Sequence, residues 1–250
     1  MSNFNEYSQY YDLVNQSKDY KAESNYIHSL IQYYRRNSVY LLELGCGSGA
    51  HAKYLADYGY QITGVERSDS MIKMANAKNI NGFNVIQGDI TSFELPAKYD
   101  AAISLFHVIS YLTTNESIKQ CFENVHAHLK DEGIFIFDVW YTPAVYFQKP
   151  ETRIRRMEND ACEITRIAES DMNTEANIVT VKFDILVKHK QSNLFSNFRE
   201  VHPMRHFSIP EIGLIAIQTG FTILTSEEFL TQSSPSVNTW GVCFVLKKTH

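Results

Sequence analysis

Val39-Tyr-Leu-Leu-Glu-Leu-Gly-Cys-Gly-Ser-Gly49 joins a nearly continuous apolar run to three glycines spaced two apart. An apolar run of this length fits a parallel strand covered on both faces. The glycines let the backbone approach a ligand closely and leave amide N–H groups bare. Alone the signal is ambiguous, because Gly45, Gly47 and Ala50 also satisfy the G-x-G-x-x-A dinucleotide pattern. Upstream, Ile27, Leu30, Ile31 and Tyr34 have helical spacing and predict an amphipathic helix over 18–36. Downstream, a helix over 50–58 ends at Gly59, and a strand over 60–65 is closed by Glu66. Ser68 or Asp69 then caps a helix reaching Lys78, and 84–87 make a third strand ending at Gly88 and Asp89. A fourth strand is expected over 99–106, a helix over 115–129 with Gly133 as its stop, and a fifth strand over 134–139. This alternation predicts a parallel α/β sheet with right-handed crossovers.

The rhythm breaks after strand five. Strands follow one another at 152–157, 162–169, 177–189 and 194–202, separated by Asn- and Asp-rich turns. Within the third, Val179, Val181, Phe183, Ile185 and Val187 alternate with polar or mixed positions, so one face is buried and one wet. The segment reads as an inserted antiparallel β-sheet covering one side of the site. The α/β pattern resumes with a helix from Ser208 to Thr219, stopped by Gly220, and strands at 221–225 and 239–247. Residues 1–150 and 205–250 thus form one discontinuous domain, and 151–204 an inserted cap.

Composition bounds the function. The 250 residues are 44 % hydrophobic with a net charge of −5 and a pI near 6.0, enough for a sizeable core. An acidic balance without basic blocks argues against a nucleic acid polymer as partner. No apolar run approaches the roughly 18 residues of a membrane span, and the first residues lack a secretory pattern. Cys46, Cys121, Cys162 and Cys243 have neither zinc nor redox-pair spacing. A cytoplasmic setting is therefore expected.

The carboxylates around the glycines narrow the ligand. Glu66 ends the second strand twenty-one residues after Gly45, where it can accept both hydroxyls of a ribose. Asp89 ends the third, where it can accept an exocyclic adenine amine, and Glu43 precedes the glycines. A pyrophosphate would be repelled by so many acids. A cationic sulfonium bearing an ammonium would not.

At these residues the chain resembles the class I S-adenosylmethionine-dependent methyltransferases. The resemblance implies their Rossmann-like seven-stranded sheet, ending in the antiparallel pair 221–225 and 239–247. It implies S-adenosylmethionine held by Glu43, Gly45, Cys46, Gly47, Glu66, Arg67, Met71, Asp89, Ile90 and Leu105, with Tyr11 and Tyr20 closing over the methionine end. A closer similarity, carried by 11–14, 18–20, 106–112, 140–143 and 200–208, is to the nucleotide-sugar N-methyltransferases, which dimethylate amino groups of dTDP-linked sugars. It implies a small-molecule amine acceptor, possibly dTDP-linked, and a homodimer is compatible with it. Two positions depart from that pattern: a histidine beside the sugar falls on Tyr111, and a C-terminal arginine falls near Asn238 or Thr239.

Candidates for receiving a proton from the amine are Tyr111, His107 and His202. Tyr7, Trp140, Tyr141 and His206 are candidate substrate walls. Arg153, Arg155 and Arg156, beside Lys149, fit either a substrate diphosphate or a solvated strand edge. No metal is expected, since Asp138 stands alone at the end of strand five. Competing readings are a methyltransferase for another small amine, carboxylate or hydroxyl metabolite, and a binding module without turnover. A base-methylating enzyme is disfavoured because the turn after strand four is Ser104-Leu-Phe-His107.

Overall fold

The structure, a computed structural model, describes residues 7–249, and side chains from 9 to 249. Two sheets organise it. The first takes β1 (Tyr40–Leu44), β2 (Gln61–Glu66), β3 (Phe83–Gln87), β4 (Tyr99–Ser104), β5 (Leu129–Trp140), β10 (Phe221–Glu228) and β11 (Gly241–Lys248) in the order β10-β11-β5-β4-β1-β2-β3. All pairings are parallel except those of β11 with its two neighbours. The order reverses between β1 and β4, and α/β folds bind ligands at that crevice. Both faces of the sheet are covered. Leu42, Phe122, Phe135, Phe137 and Phe244 pack on one side, and Ile27, Ile31, Leu41, Leu55 and Ile136 on the other.

The connecting helices follow local signals. Helix α2 (Tyr20–Tyr34) buries the Ile27, Leu30 and Ile31 stripe, as its spacing requires. Ser68 caps α4 (Asp69–Ala77) by accepting from the Met71 amide. Thr114 and Ser208 form capping boxes at α5 (Asn115–His128) and α7 (Ile209–Gln218). Short helices α1 (Tyr11–Val14), α3 (Ala50–Ala56) and α6 (Thr142–Gln148, opened by Pro143) complete the set. Among the described residues no helix is long and apolar enough to cross a membrane.

Two expectations are corrected and one element is added. Strand four stops at Ser104, because Phe106 and His107 take left-handed φ angles of 65° and 60°. Gly133 is not a helix stop: Leu129 leads directly from α5 into β5. The register with β4 jumps from Tyr99↔Leu129 to Ala101↔Ile134, and Glu132 absorbs the turn at φ 62°. Helix α6 lay outside the sequence reading, since its apolar residues are too few to show a period.

The second sheet is antiparallel, β6 (Arg153–Glu158), β7 (Cys162–Asn173), β8 (Ile178–His189) and β9 (Phe195–Arg205), in chain order. The expected alternation holds on β8: Val179, Ile185 and Val187 are buried, whereas Val181 and Phe183 are half-buried. Helix α1 packs Val14 against Ile164, Ile185 and Val187 of this sheet. The sheet rejoins the body where Phe207 donates to Trp140 O at 2.8 Å and Thr142 donates to Phe207 O at 2.9 Å.

Candidate active site

A cavity of about 290 Å³ lies at the C-terminal ends of β1, β2 and β4, roofed by the second sheet. At its floor, Gly45 and Gly47 hold left-handed φ angles of 63° and 53°. They do so for different reasons. A Cβ on Gly45 would stand 2.6 Å from Val108 Cγ1, so this glycine permits packing of the next loop. A Cβ on Gly47 would meet no protein atom within 4 Å; it would project from the turn into open space.

The acids are held by the backbone. Glu66 Oε2 accepts from the Gly47 amide at 3.0 Å and Oε1 from the Ser68 amide at 2.9 Å. Each oxygen keeps lone-pair capacity for a hydroxyl, and the carboxylate cannot rotate away. Asp89 Oδ1 accepts from the Thr91 amide and hydroxyl at 2.9 and 2.7 Å. Cys46, Arg67, Met71, Ile90 and Leu105 all line the cavity, as do Tyr11 and Tyr20 from the N-terminal segment.

Glu43 departs from its expected role as a direct contact. It lies beneath the turn, 2 % exposed, and does not line the cavity. Its Oε2 has no hydrogen-bond partner among the described residues, and Oε1 stands 3.8 Å from His51 Nδ1. Burial, then the charge of Glu66, push its carboxyl up to about 8. His51 Nε2 in turn meets Glu23 Oε2 at 2.7 Å, and Glu23 also pairs with Lys18.

These features fit the donor that the resemblance implies. An orphaned buried carboxyl that a nearby cation would help to ionise, two braced acids and a bare glycine turn suit a ligand with a ribose, an amine-bearing base and net positive charge. Glu66 would hold the ribose, Asp89 the base, and the turn the chain carrying the sulfonium. When bound, S-adenosylmethionine supplies an electrophilic methyl group.

The other end of the cavity holds two proton-handling pairs. His107 Nδ1 stands 2.6 Å from Asp138 Oδ2, and the His107 amide donates to both Asp138 oxygens at 3.2–3.3 Å. Burial alone would raise the Asp138 carboxyl. The His107 ring and amide, helped by Lys18, outweigh it and hold its pKa below the usual value. The left-handed pair Phe106–His107 turns the ring back onto β5, a conformation costing about 1–3 kcal/mol per residue. The second pair joins Tyr111 Oη to His202 Nδ1 at 3.0 Å, with His202 Nε2 standing 3.1 Å from Glu200 Oε2. Trp140 closes the wall, edge-on to His107 with centroids 6.1 Å apart.

Two predicted wall residues are elsewhere. Tyr141 caps α6 and donates its amide to Trp240 O, with its ring against the core. His206 is 1 % exposed in the junction below the second sheet, its Nδ1 2.9 Å from Thr142 Oγ1. Burial there lowers its pKa to about 4, so it is neutral at physiological pH. The side chain of Tyr7 lies outside the described residues. The sequence reading missed Arg166, Phe183 and Met204 as cavity residues, and Asp138 as the partner of His107. Only Phe183 carried a signal, on the apolar face of β8. Among the described residues no group of three His, Cys, Asp or Glu could hold a metal ion.

Comparison with known proteins places these features. Residues 41–133 match the family described as a methyltransferase domain. The chain is 30 % identical over 151 residues to the uncharacterized methyltransferase YrrT of Bacillus subtilis, covering 58 % of this chain and 70 % of that protein. It is 25 % identical over 211 residues to a dTDP-3-amino-3,6-dideoxy-alpha-D-glucopyranose N,N-dimethyltransferase of Streptomyces fradiae, covering 81 % and 82 % of the two chains. Its fold superposes with a TM-score of 0.79, at 21 % identity over 100 % of this chain and 99 % of the other. That structure is an S-adenosylmethionine-bound amino pentose methyltransferase from Micromonospora echinaspora.

Proposed function

This chain belongs to the class I S-adenosylmethionine-dependent methyltransferases, and from that premise we propose that it methylates the amino group of a small molecule, a nucleotide-linked amino sugar. The observation that carries this reading is the placement of two hydrogen-bonded side-chain pairs, His107 with Asp138 and Tyr111 with His202, around a roofed cavity of about 290 Å³. That size is at the lower edge of ordinary small-molecule sites, roughly 300–1,000 Å³. The two relatives with named acceptors or sugars support an amino sugar. We assign 151–204 as the cap, and 1–150 with 205–250 as the donor-binding body.

An amine arrives at physiological pH largely as an ammonium, so it must lose a proton before it can attack. With its Nδ1 against Asp138, the His107 ring leaves Nε2 as the acceptor of that proton, and Asp138 steadies the imidazolium. Tyr111 Oη shares a hydrogen bond with His202 Nδ1, which fixes the phenol in place and leaves its oxygen a lone pair for an N–H of the acceptor. This hydrogen bond and the wall of Trp140 aim the nitrogen lone pair. Orientation of this kind is worth up to about 7–11 kcal/mol. The cap excludes water, which prevents the amine from being solvated at the moment of attack.

Incubating the protein with S-adenosylmethionine and a panel of dTDP-linked amino sugars should add one or two methyl masses to an amino sugar by mass spectrometry. Free amino acids, polyamines and unmodified sugars should be left unchanged. Methylation confined to those controls would replace the nucleotide-linked acceptor with another metabolite class.

A further inference from the structure

The cavity face of the cap carries an arrangement that its fold does not require. Register places Arg155 of β6 directly opposite Arg166 of β7, with Arg153 two residues along on the same face. Arg166 lines the cavity, its guanidinium 4.7 Å from the Phe183 ring centroid. Like charges placed directly opposite on adjacent strands destabilise a sheet. On the outer face of the same sheet four cations are matched, Lys182 with Asp171, Lys188 with Glu163, Lys190 with Glu158 and Arg199 with Asp184, and Arg156 stands there with Thr165, and no like charge, opposite it. On the cavity face, Arg153 and Arg155 are exposed and have no ion pair among the described residues. The carboxylate on this face, Glu200, sits two strands away opposite Phe183, beside His202.

We propose that Arg153, Arg155 and Arg166 form a diphosphate subsite at the rim of the acceptor cavity. The proposal rests on the reading of the acceptor as nucleotide-linked and adds where its charged link is held. Guanidinium forks match phosphate oxygens two at a time, and a diphosphate between the strands turns the repulsion of Arg155 and Arg166 into a shared attraction. The position also fits the geometry of the reaction. A sugar whose amine reaches Tyr111 and His107 lies in the cavity, and its diphosphate then leaves past Arg166, the cap residue common to cavity and rim. Arg156, one residue on, faces the opposite side of the sheet, opposite Thr165, and serves as an internal control.

Calorimetric titration of the full chain saturated with S-adenosylhomocysteine tests this, with dTDP, thymidine and inorganic pyrophosphate as probes. Wild type should bind dTDP at least about tenfold more tightly than thymidine. R153A/R155A should lose that advantage, and R156A should keep it within about twofold. Both changes are at exposed positions, and an unchanged melting temperature verifies the fold. Pyrophosphate held by wild type and lost by R153A/R155A, with no added affinity from the nucleoside, keeps the subsite while removing the nucleotide from the acceptor. Affinity for dTDP unchanged in R153A/R155A overturns the subsite and leaves the nucleotide-linked acceptor standing. A wild type that holds neither dTDP nor pyrophosphate overturns the subsite as well.

Discussion

The glycine turn and the cap sheet face each other across one cavity, yet they are built on different rules. At the turn, the acids are braced by backbone amides: Glu66 by those of Gly47, nineteen residues back, and Ser68, and Asp89 by that of Thr91 two residues on. At the acceptor end, each group depends on a distant partner, His107 on Asp138 and Tyr111 on His202, 91 residues away. The first arrangement binds the same ligand whatever is roofed over it. The second can be altered by changing one strand of the cap, which separates donor recognition from acceptor choice.

Substitutions that act on one half alone would sharpen that contrast. Largest should be D138N, which removes the charge that steadies a protonated His107; turnover should fall about 10²-fold with S-adenosylhomocysteine affinity nearly unchanged by calorimetry. An equal loss in both measurements would mean that the halves are not independent. Next comes E66A, which removes a charged acceptor and two amide braces. Donor affinity should weaken by roughly 1.5–3 kcal/mol, or about 10- to 150-fold. Y111F should be milder, raising the KM for the amine about five- to tenfold, near the ~1 kcal/mol of one neutral hydrogen bond.

The smallest effect tests the floor of the turn. Glu43 has an ordinary pKa of 4.5 and is raised to about 8 in the fold. Between those values the unfolded chain releases the proton that the folded chain keeps, so stability declines as pH rises through the window. E43Q should flatten this decline. Without ligand it should melt about 2–4 °C above wild type at pH 8, with the gap closing toward pH 5. A constant gap across that range would mean that Glu43 is not the titrating group.

The same contrast decides what could be read from the chain. The strand, glycine turn, and acids at 66 and 89 were legible because each acid and each glycine stands at the end of a short apolar strand that a few consecutive residues mark. The pairing of His107 with Asp138 was not, since it depends on two consecutive left-handed residues that no composition signal marks. Nor could the chain separate His202 from His206, four residues apart. The first lies in register with Val181 and faces the cavity, whereas the second falls beyond the strand and turns into the junction. The apolar face of β8 was visible, but that its half-buried portion formed the roof over an acceptor was not.

Helix α1 is gripped unequally on its two sides. Its apolar side, Val14, is sealed against Ile164 and Val187 of the cap. Its polar side reaches the body through Asp12, 3.0 Å from Ser48 Oγ and 3.3 Å from Lys78 Nζ. Water can replace the second set of contacts at little cost and cannot replace the first. The segment is thus tied more firmly to the roof than to the body, so a displacement of the second sheet carries α1 with it and parts the Asp12 contacts first.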